Sequence, residues 1–113
     1  MREERGHIKG DVVVYETFTL WGSIAGNVKV VEGGKFYLRG SVFGNLDVEP
    51  GGRVHIFGNI TGDLIVGEKT KVIHSGIING DATNRGGRLF IEKIAKIAGK
   101  LKTKSGATVD DRK

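Results

Sequence analysis

Hydrophobic and polar residues alternate in short runs along most of the chain, and glycines separate the runs. Val28-Lys-Val30 and Lys35-Phe-Tyr-Leu38 are examples, with apolar side chains at every second position. Alternation with a period of two is typical of a β-strand that buries one of its faces. The pattern therefore predicts many short strands joined at glycine corners.

These runs belong to a repeated motif, Gly-x-(Ile/Val)-x-Gly-(Asp/Asn)-aliphatic. Five copies and a sixth, decayed copy follow one another: Gly6-His-Ile-Lys-Gly-Asp-Val12, Gly22-Ser-Ile-Ala-Gly-Asn-Val28, Gly40-Ser-Val-Phe-Gly-Asn-Leu46, Gly58-Asn-Ile-Thr-Gly-Asp-Leu64, Gly76-Ile-Ile-Asn-Gly-Asp-Ala82 and Ala95-Lys-Ile-Ala-Gly-Lys-Leu101. Successive copies start 16, 18, 18, 18 and 19 residues apart, so the common unit has 18 residues. A repeat of this length indicates a solenoid, in which each unit buries its apolar face against its neighbours.

Equivalent positions of successive units form columns, and the apolar columns are predicted to face inward. They contain Ile24, Val28, Val30, Phe36 and Leu38, then Val42, Leu46, Val48, Val54 and Ile56, then Ile60, Leu64, Val66 and Val72. Eighteen residues accommodate three strands of four to six residues, so each unit is predicted to be one triangular coil. About six coils stacked about 4.8 Å apart make a rod of roughly 25 to 30 Å.

The predicted fold is all-β: a single-stranded, right-handed parallel β-helix in one domain, residues 6–106, between short flanks at 1–5 and 107–113. The double glycines at 33–34, 51–52 and 86–87 are predicted to form corners with positive φ, and the motif glycines to mark close approaches of backbone. Two alternatives stay open. Columns six residues apart also suit the left-handed hexapeptide helix of acyltransferases, because the period does not fix the hand. The segment 91–101 also has the apolar spacing of a capping helix, with Ile91, Ile94, Ala95, Ala98 and Leu101 on one side, although its register favours a sixth coil.

Composition narrows the possible functions. The 113 residues include 19 glycines and no cysteine, which excludes disulfides and thiolate metal sites and favours the cytoplasm. The sequence has no apolar run long enough to span a membrane, and because residues 1–5 lack the apolar core of a signal peptide we expect none here. Its net charge of +5 is +2 over residues 1–99 and +3 over the last 14 residues. The excess is therefore mainly a feature of the C-terminal end, and we expect no nucleic-acid partner.

Candidate catalytic and metal-binding residues do not form recognisable sites. Asp11, Asn27, Asn45, Asp63 and Asp81 share one column, where we interpret them as corner residues that bond nearby backbone amides rather than as a cation site. His7, His55 and His74 occupy unlike positions without metal-ligand spacing, and His74 is predicted to face inward and bond to backbone. Neither Ser23 nor Ser41 has an evident histidine and acid partner in its column. We expect no enzyme, no metal and no cofactor.

Two outward features are candidates for binding. A basic column contains Lys35, Arg53, Lys71 and Arg88, which repel one another unless they are solvated or meet an anionic partner. An outward apolar face, predicted on neighbouring columns, contains Trp21, Tyr37, Phe57, Ile73 and Phe90. We interpret the basic column as a solvated surface and the apolar face as a contact with another subunit or protein.

The glycine-bounded motif, repeated over residues 6–106, resembles that of the bactofilins, a family of polymer-forming bacterial cytoskeletal proteins. The resemblance implies a right-handed β-helix that assembles end to end, without nucleotide, into filaments that organise cell-envelope and shape-determining proteins. Family members usually carry longer tails, and some have a membrane-targeting stretch, whereas the flanks here are short. We therefore expect membrane association through partners rather than by direct binding.

Function is predicted to be structural, with self-association through the coil ends into a homopolymer or oligomer. Unpaired strand edges and apolar residues of the terminal coils would make the contacts. The predicted end residues are Val12, Val14, Phe18 and Leu20 at one end and Ile97, Leu101 and Val109 at the other. The alternatives are a capped, non-polymerising module that binds a partner through its outward apolar face, and a left-handed acyltransferase with His55 as its base.

Overall fold

The computed structural model describes residues 2–112, which form seventeen β-strands, named β1 to β17 in chain order, and no helix. All sheet pairings among these residues are parallel, and each strand pairs with the equivalent strand of the coil before or after it. The result is a β-solenoid of about six coils of about 18 residues, with principal extents of 34 × 26 × 19 Å. The all-β solenoid predicted from the repeat is confirmed.

Each coil contributes one strand to each of three faces. The first face consists of β2 (His7–Lys9), β5 (Ser23–Ala25), β8 (Ser41–Val42), β11 (Asn59–Ile60), β14 (Ile77–Ile78) and β16 (Lys96–Ile97). The second consists of β3 (Val12–Val14), β6 (Val28–Val30), β9 (Leu46–Val48), β12 (Leu64–Val66) and the first parts of β15 (Ala82–Ile91) and β17 (Leu101–Asp110). The third consists of β1 (Arg2–Glu4), β4 (Thr17–Leu20), β7 (Lys35–Leu38), β10 (Arg53–Ile56), β13 (Lys71–His74) and the last parts of β15 and β17.

The core is a stack of apolar columns, and the inward residues predicted from the alternation are all buried. Val30 packs in register with Val48, for example, and Val54 lies between Phe36 and Val72 on the third face. Side chains of adjacent coils therefore stack directly, and each coil covers the apolar surface of the next. Burial of these columns is the main favourable contribution to folding.

Strand lengths differ from the prediction, since β1 to β14 have two to four residues rather than four to six. The corners take up the remaining residues, because the backbone bends at each motif glycine. A Cβ atom on Gly40 would lie 1.8 Å from the carbonyl oxygen of Gly22 in the preceding coil, so only glycine fits there. At the other corner Gly33, Gly51 and Gly86 have positive φ, as predicted, and Lys69 takes this conformation where no glycine is present.

The C-terminal segment forms the sixth coil and not a capping helix. Ile97 pairs with Ile78 and Leu101 with Ala82, so the decayed motif copy keeps the register of the others. Strand pairing also extends into both predicted flanks, because β1 pairs with β4 and β17 continues to Asp110. Parallel strand connections are right-handed in about 98% of cases, which favours the right-handed coil. The hand of the coil stays a prediction.

Candidate functional surfaces

The outward side of the third face carries three parallel columns, two at alternate positions of its strands and one at the corner that follows them. The basic column stands first, and adjacent cations are in register, with Lys35 beside Arg53 and Lys71 beside Arg53 and Arg88. Strand spacing sets neighbouring cations about 4.8 Å apart at their Cα atoms, so the four span about 14 Å. Within residues 2–112 none of the four lies within 4.0 Å of a carboxylate.

The next column, two residues further along each strand, is here named the ring column. It holds Tyr37, His55, Ile73 and Phe90, which pair in this order, and Val109 continues it on the last coil. The predicted apolar face is therefore interrupted by His55. Tyr37 is 37% exposed, while Ile73 and Phe90 are half-buried.

The third column follows at the corner and is here named the corner column. It contains the remaining two residues of the predicted apolar face, Trp21 and Phe57, with Arg39 between them. The Arg39 guanidinium lies 5.1 Å from the Trp21 ring centroid and 4.2 Å from that of Phe57, and Arg5 lies 5.0 Å from the Trp21 ring. Cations over ring faces are attracted to the ring quadrupole. Arg39 was not identified from the sequence, although it stands 18 residues from both Trp21 and Phe57.

A cluster of His55, Ser75 and Glu92 joins the ring and corner columns. The Ser75 hydroxyl donates to Glu92 Oε1 at 2.6 Å, and His55 Nε2 lies 3.2 Å from Ser75 Oγ. His55 also stacks on Phe57 with ring centroids 3.8 Å apart, and burial lowers its pKa, partly offset by Glu92. The serine proton points to the carboxylate and the histidine is not between serine and acid, so this is not the nucleophile–base–acid order of a hydrolase.

The column of Asp and Asn residues acts as a hydrogen-bonded ladder along one corner. Each Oδ1 accepts the backbone N–H of the next ladder residue: Asp11 from Asn27 at 2.8 Å, Asn27 from Asn45 at 2.9 Å, Asn45 from Asp63 at 2.8 Å and Asp63 from Asp81 at 2.8 Å. Lys100 donates to Asp81 and, lacking a side-chain acceptor, ends the ladder. The prediction that these side chains bond backbone amides is confirmed.

From Gly44 onward, the glycine before each ladder residue leaves room for the side-chain acceptor of the preceding coil as well as for its backbone, whereas a Cβ atom on Gly26 would meet backbone first and one on Gly10 would have nothing within 4 Å. A Cβ atom on Gly62 would lie 2.1 Å from Asn45 Oδ1, and one on Gly80 would lie 2.1 Å from Asp63 Oδ1. The Gly-(Asp/Asn) pair of the motif therefore has a joint explanation. The acceptor of one coil occupies the space that a side chain of the next coil would fill.

His74 is buried in an inward column between Ile56 and Ile91, as predicted. Its Nδ1 accepts the Gly76 N–H at 3.3 Å, and its Nε2 lies 3.0 Å from the Lys96 carbonyl oxygen, which it donates to in the neutral form. Burial lowers the pKa of His74, against the opposing effect of the Lys96 bond. His74 therefore ties the last coil to the core as a neutral side chain.

Ser23 has a histidine partner that was not identified from the sequence, since His7 Nδ1 hydrogen-bonds Ser23 Oγ from the preceding position of the same column. The pair is exposed, and no acid contact to either side chain is seen among residues 2–112. Ser41 follows Ser23 in that column. In the same part of the chain no three His, Asp or Glu side chains converge as a metal site would require.

The N-terminal end of the rod differs from the prediction. Phe18 and Leu20 are buried under β1, with Arg2 over the Phe18 ring at 4.7 Å and Glu4 paired with Leu20. They are therefore not on the end surface, because β1 adds a strand that the polar sequence of residues 2–4 did not suggest. Edge strands β2 and β3 expose their unpaired side here and carry Ile8, Val12 and Val14, of which Ile8 is only partly buried.

The C-terminal end is formed by β16 and β17. Ile97 and Leu101 are partly buried against the core and occupy the end of the inner columns, as predicted. Val109 is 45% exposed and belongs to the outward ring column, which corrects its assignment to the end contact. At the other inner positions of β17, the polar Thr108 and Asp110 stand in register with Leu89 and Ile91, and Thr103 stands in register with the buried polar Asn84.

Comparison with protein families, with curated proteins and with solved structures finds no match to this chain. None of the described residues belongs to a helix that could cross a membrane.

Proposed function

We propose that this chain is a structural protein that assembles end to end, without nucleotide, into filaments or shorter oligomers that hold other proteins in place. One observation carries the proposal. Both ends of the rod have unpaired edge strands whose apolar side chains continue the inner columns, Ile8 and Val12 at one end and Ile97 and Leu101 at the other. Unpaired edges are templates for pairing with another chain, and the same contact would cover the surface that Ile8, Ile97 and Leu101 still expose; Val12 is already buried.

The partners and the location in this proposal are taken from the resemblance to the bactofilins. The partners are cell-envelope or shape-determining proteins. The chain itself is cytoplasmic and contacts the membrane only through those partners. A structural rather than catalytic role agrees with the His55–Ser75–Glu92 cluster, whose hydrogen bonds lack the order of a catalytic triad.

A second candidate function, a capped module that stays monomeric, is favoured by the polar inner positions at both ends. Arg2 and Glu4 stand in register with buried columns at one end, and Thr108 and Asp110 do so at the other. Terminal repeats with polar outer faces keep solenoids soluble, and inward charges protect strand edges. All four residues lie on the third face, whereas the first face ends in Ile97 and the second in Leu101 and the polar Thr103.

Electron microscopy of negatively stained protein, together with light scattering, tests the proposal. Filaments should form without ATP, GTP or metal and persist at 1 M salt, where charges are screened within about 3 Å but apolar contacts are not. Ile97→Arg should stop growth and leave folded monomers or end-paired dimers, whereas Ala98→Arg, on the exposed neighbouring residue, should not. A wild-type chain that stays monomeric at high concentration would refute end-to-end assembly and leave the capped module.

A further inference from the structure

The basic column gives the third face a row of positive charges that an acidic partner would neutralise. Its basic column presents four cations over about 14 Å, and none has a carboxylate within 4.0 Å among residues 2–112. A depression of about 180 Å³ separates this column from the ring column and is lined by Lys35, Tyr37, Arg53, His55, Lys71 and Ile73. The face therefore offers a narrow track, cationic on one side and largely apolar on the other.

A second copy of the chain does not fit this track. A two-fold axis along the strands would set the basic column of one copy against that of the other. A two-fold axis along the rod, centred on the ring column, would set the basic column against the corner column, where Arg39 lies. The first arrangement opposes cations with cations along the whole column, which is unfavourable. The second sets Lys35 against Arg39 and gives only Arg88 an acid, Glu92, as its opposite residue. Neither supplies acids for all four cations, so a different molecule is the better match.

Ring stacking within the face also limits the partner. Phe57 is stacked on His55 and covered by Arg39, and Trp21 is contacted by Arg5 and Arg39. Bases of single-stranded nucleic acid bind by stacking on free aromatic faces. These two rings already contact protein groups, and the other two rings of the face, Tyr37 and Phe90, are separated by His55 and Ile73, so the face has no continuous row of free aromatic platforms.

Acidic residues at one border disfavour a flat anionic surface. Glu32 and Glu68 lie at the corner between the second and third faces, where their side chains face the glycines of the next coil. A lipid bilayer in contact with the whole face would meet these carboxylates as well as the cations. A narrow chain lying in the depression would contact only the basic and ring columns.

An extended acidic peptide matches the dimensions. Residues of an extended chain rise about 3.3 to 3.4 Å each and alternate sides, so three carboxylates at every second position span about 13 Å. The four cations span about 14 Å. Residues between the acids would point to the opposite side of the peptide, toward the ring column. We propose that the third face binds an extended segment of a partner protein in which acidic and apolar residues alternate.

This inference does not rest on end-to-end assembly, because the third face runs along the side of the rod. Fluorescence anisotropy with a labelled twelve-residue peptide of alternating Glu and Leu tests it. The peptide should bind wild-type protein and the Ile97→Arg variant alike, and a peptide of alternating Lys and Leu should not bind. If the wild-type chain forms no filaments but binds the peptide, only the proposed function is refuted. If it forms filaments but does not bind the peptide, only this inference is refuted.

Variants locate the binding surface. Arg53→Glu/Lys71→Glu should weaken peptide binding about tenfold or more, which corresponds to about 1.4 kcal/mol or more. Lys9→Glu/Lys102→Glu, an equal charge change at exposed residues of the first and second faces, should change it less than threefold. Arg53→Gln/Lys71→Gln gives the same comparison without reversed charges, should the first variant fail to fold.

Other partners give distinct results. The proposal is overturned if the Glu–Leu peptide does not bind, or if its binding is equally reduced by the control variant. It is also overturned if phosphatidylserine vesicles or oligo-dT bind through Arg53 and Lys71 more tightly than the peptide does.

Discussion

Asn45 and Gly62 are predicted to be energetically coupled, because the carboxamide of one coil fills the space above the glycine of the next. Asn45→Ala removes the acceptor of the Asp63 N–H, a 2.8 Å bond at an exposed corner, and should cost about 1 kcal/mol. Gly62→Ala would place Cβ 2.1 Å from Asn45 Oδ1 and 2.7 Å from the Gly44 carbonyl oxygen. Overpacking of this kind costs about 1 to 3 kcal/mol.

The double variant should be less destabilised than the sum of the two, by about 1 kcal/mol, since residues in direct contact couple by about 0.5 to 3 kcal/mol. Removing Asn45 Oδ1 relieves the shortest clash but not the one with Gly44. Urea denaturation followed by circular dichroism measures each free energy of unfolding.

A matched control exists at the first corner of the ladder. Asp11 Oδ1 accepts the Asn27 N–H at 2.8 Å, yet the three atoms nearest to a Cβ atom on Gly26 would all be backbone atoms of Gly10 and Asp11, with the Gly10 carbonyl oxygen nearest at 2.3 Å. Asp11→Ala should therefore not rescue Gly26→Ala. Additive effects in the Asn45/Gly62 pair, or equal rescue in both pairs, would refute the explanation of the Gly-(Asp/Asn) motif.

Two further predictions concern the core. Val66→Asp places an unpaired charge in an inward column and should lower the free energy of unfolding by several kcal/mol. Ile65→Asp, at the neighbouring half-buried outward position, should be tolerated. Equal melting temperatures for the two variants would contradict the register. Burial lowers the pKa of His74 from 6.5, so as pH falls the unfolded chain takes up a proton at this residue before the folded chain does. The free energy of unfolding should therefore fall as pH drops below about 6.5. Measured by denaturation between pH 7.5 and 5.5, the free energy of unfolding should depend less on pH in His74→Ile than in the wild type, whereas Ile56→Val, in the same column, should keep the wild-type dependence. An unchanged pH dependence in His74→Ile would exclude this role.

Much of the fold could be predicted from the chain by itself. Alternation identifies which side chains face inward, and the 18-residue repeat identifies which of them stack, as with Val30 and Val48. Both signals are local or periodic, so they can be read without coordinates. The 18-residue repeat also predicts the basic column, because Lys35 and Arg53 occupy equivalent positions of successive units.

Some features depended on side-chain contacts between coils. The 18-residue spacing places Arg39 between Trp21 and Phe57, but the contact of its guanidinium with both rings depends on side-chain geometry, and the pairing of Ser75 with Glu92 joins residues of different coils. The polar residues of β1 have no strand pattern, and they are ordered by pairing with β4 rather than by their own propensity. Burial of Phe18 and the reassignment of the end surface follow from that pairing.

The repeat determined the coil, the inward columns and the glycine positions, whereas the tertiary structure decided which surfaces are available for binding. An interaction that recurs in every coil needs a similar residue type at the same place in each repeat, so it appears in the sequence as a periodic pattern. A terminal strand or a stacked cation occurs once, at a place defined by neighbours distant in sequence. Such features depend on the geometry of the assembled coils, and only the folded chain brings those neighbours together.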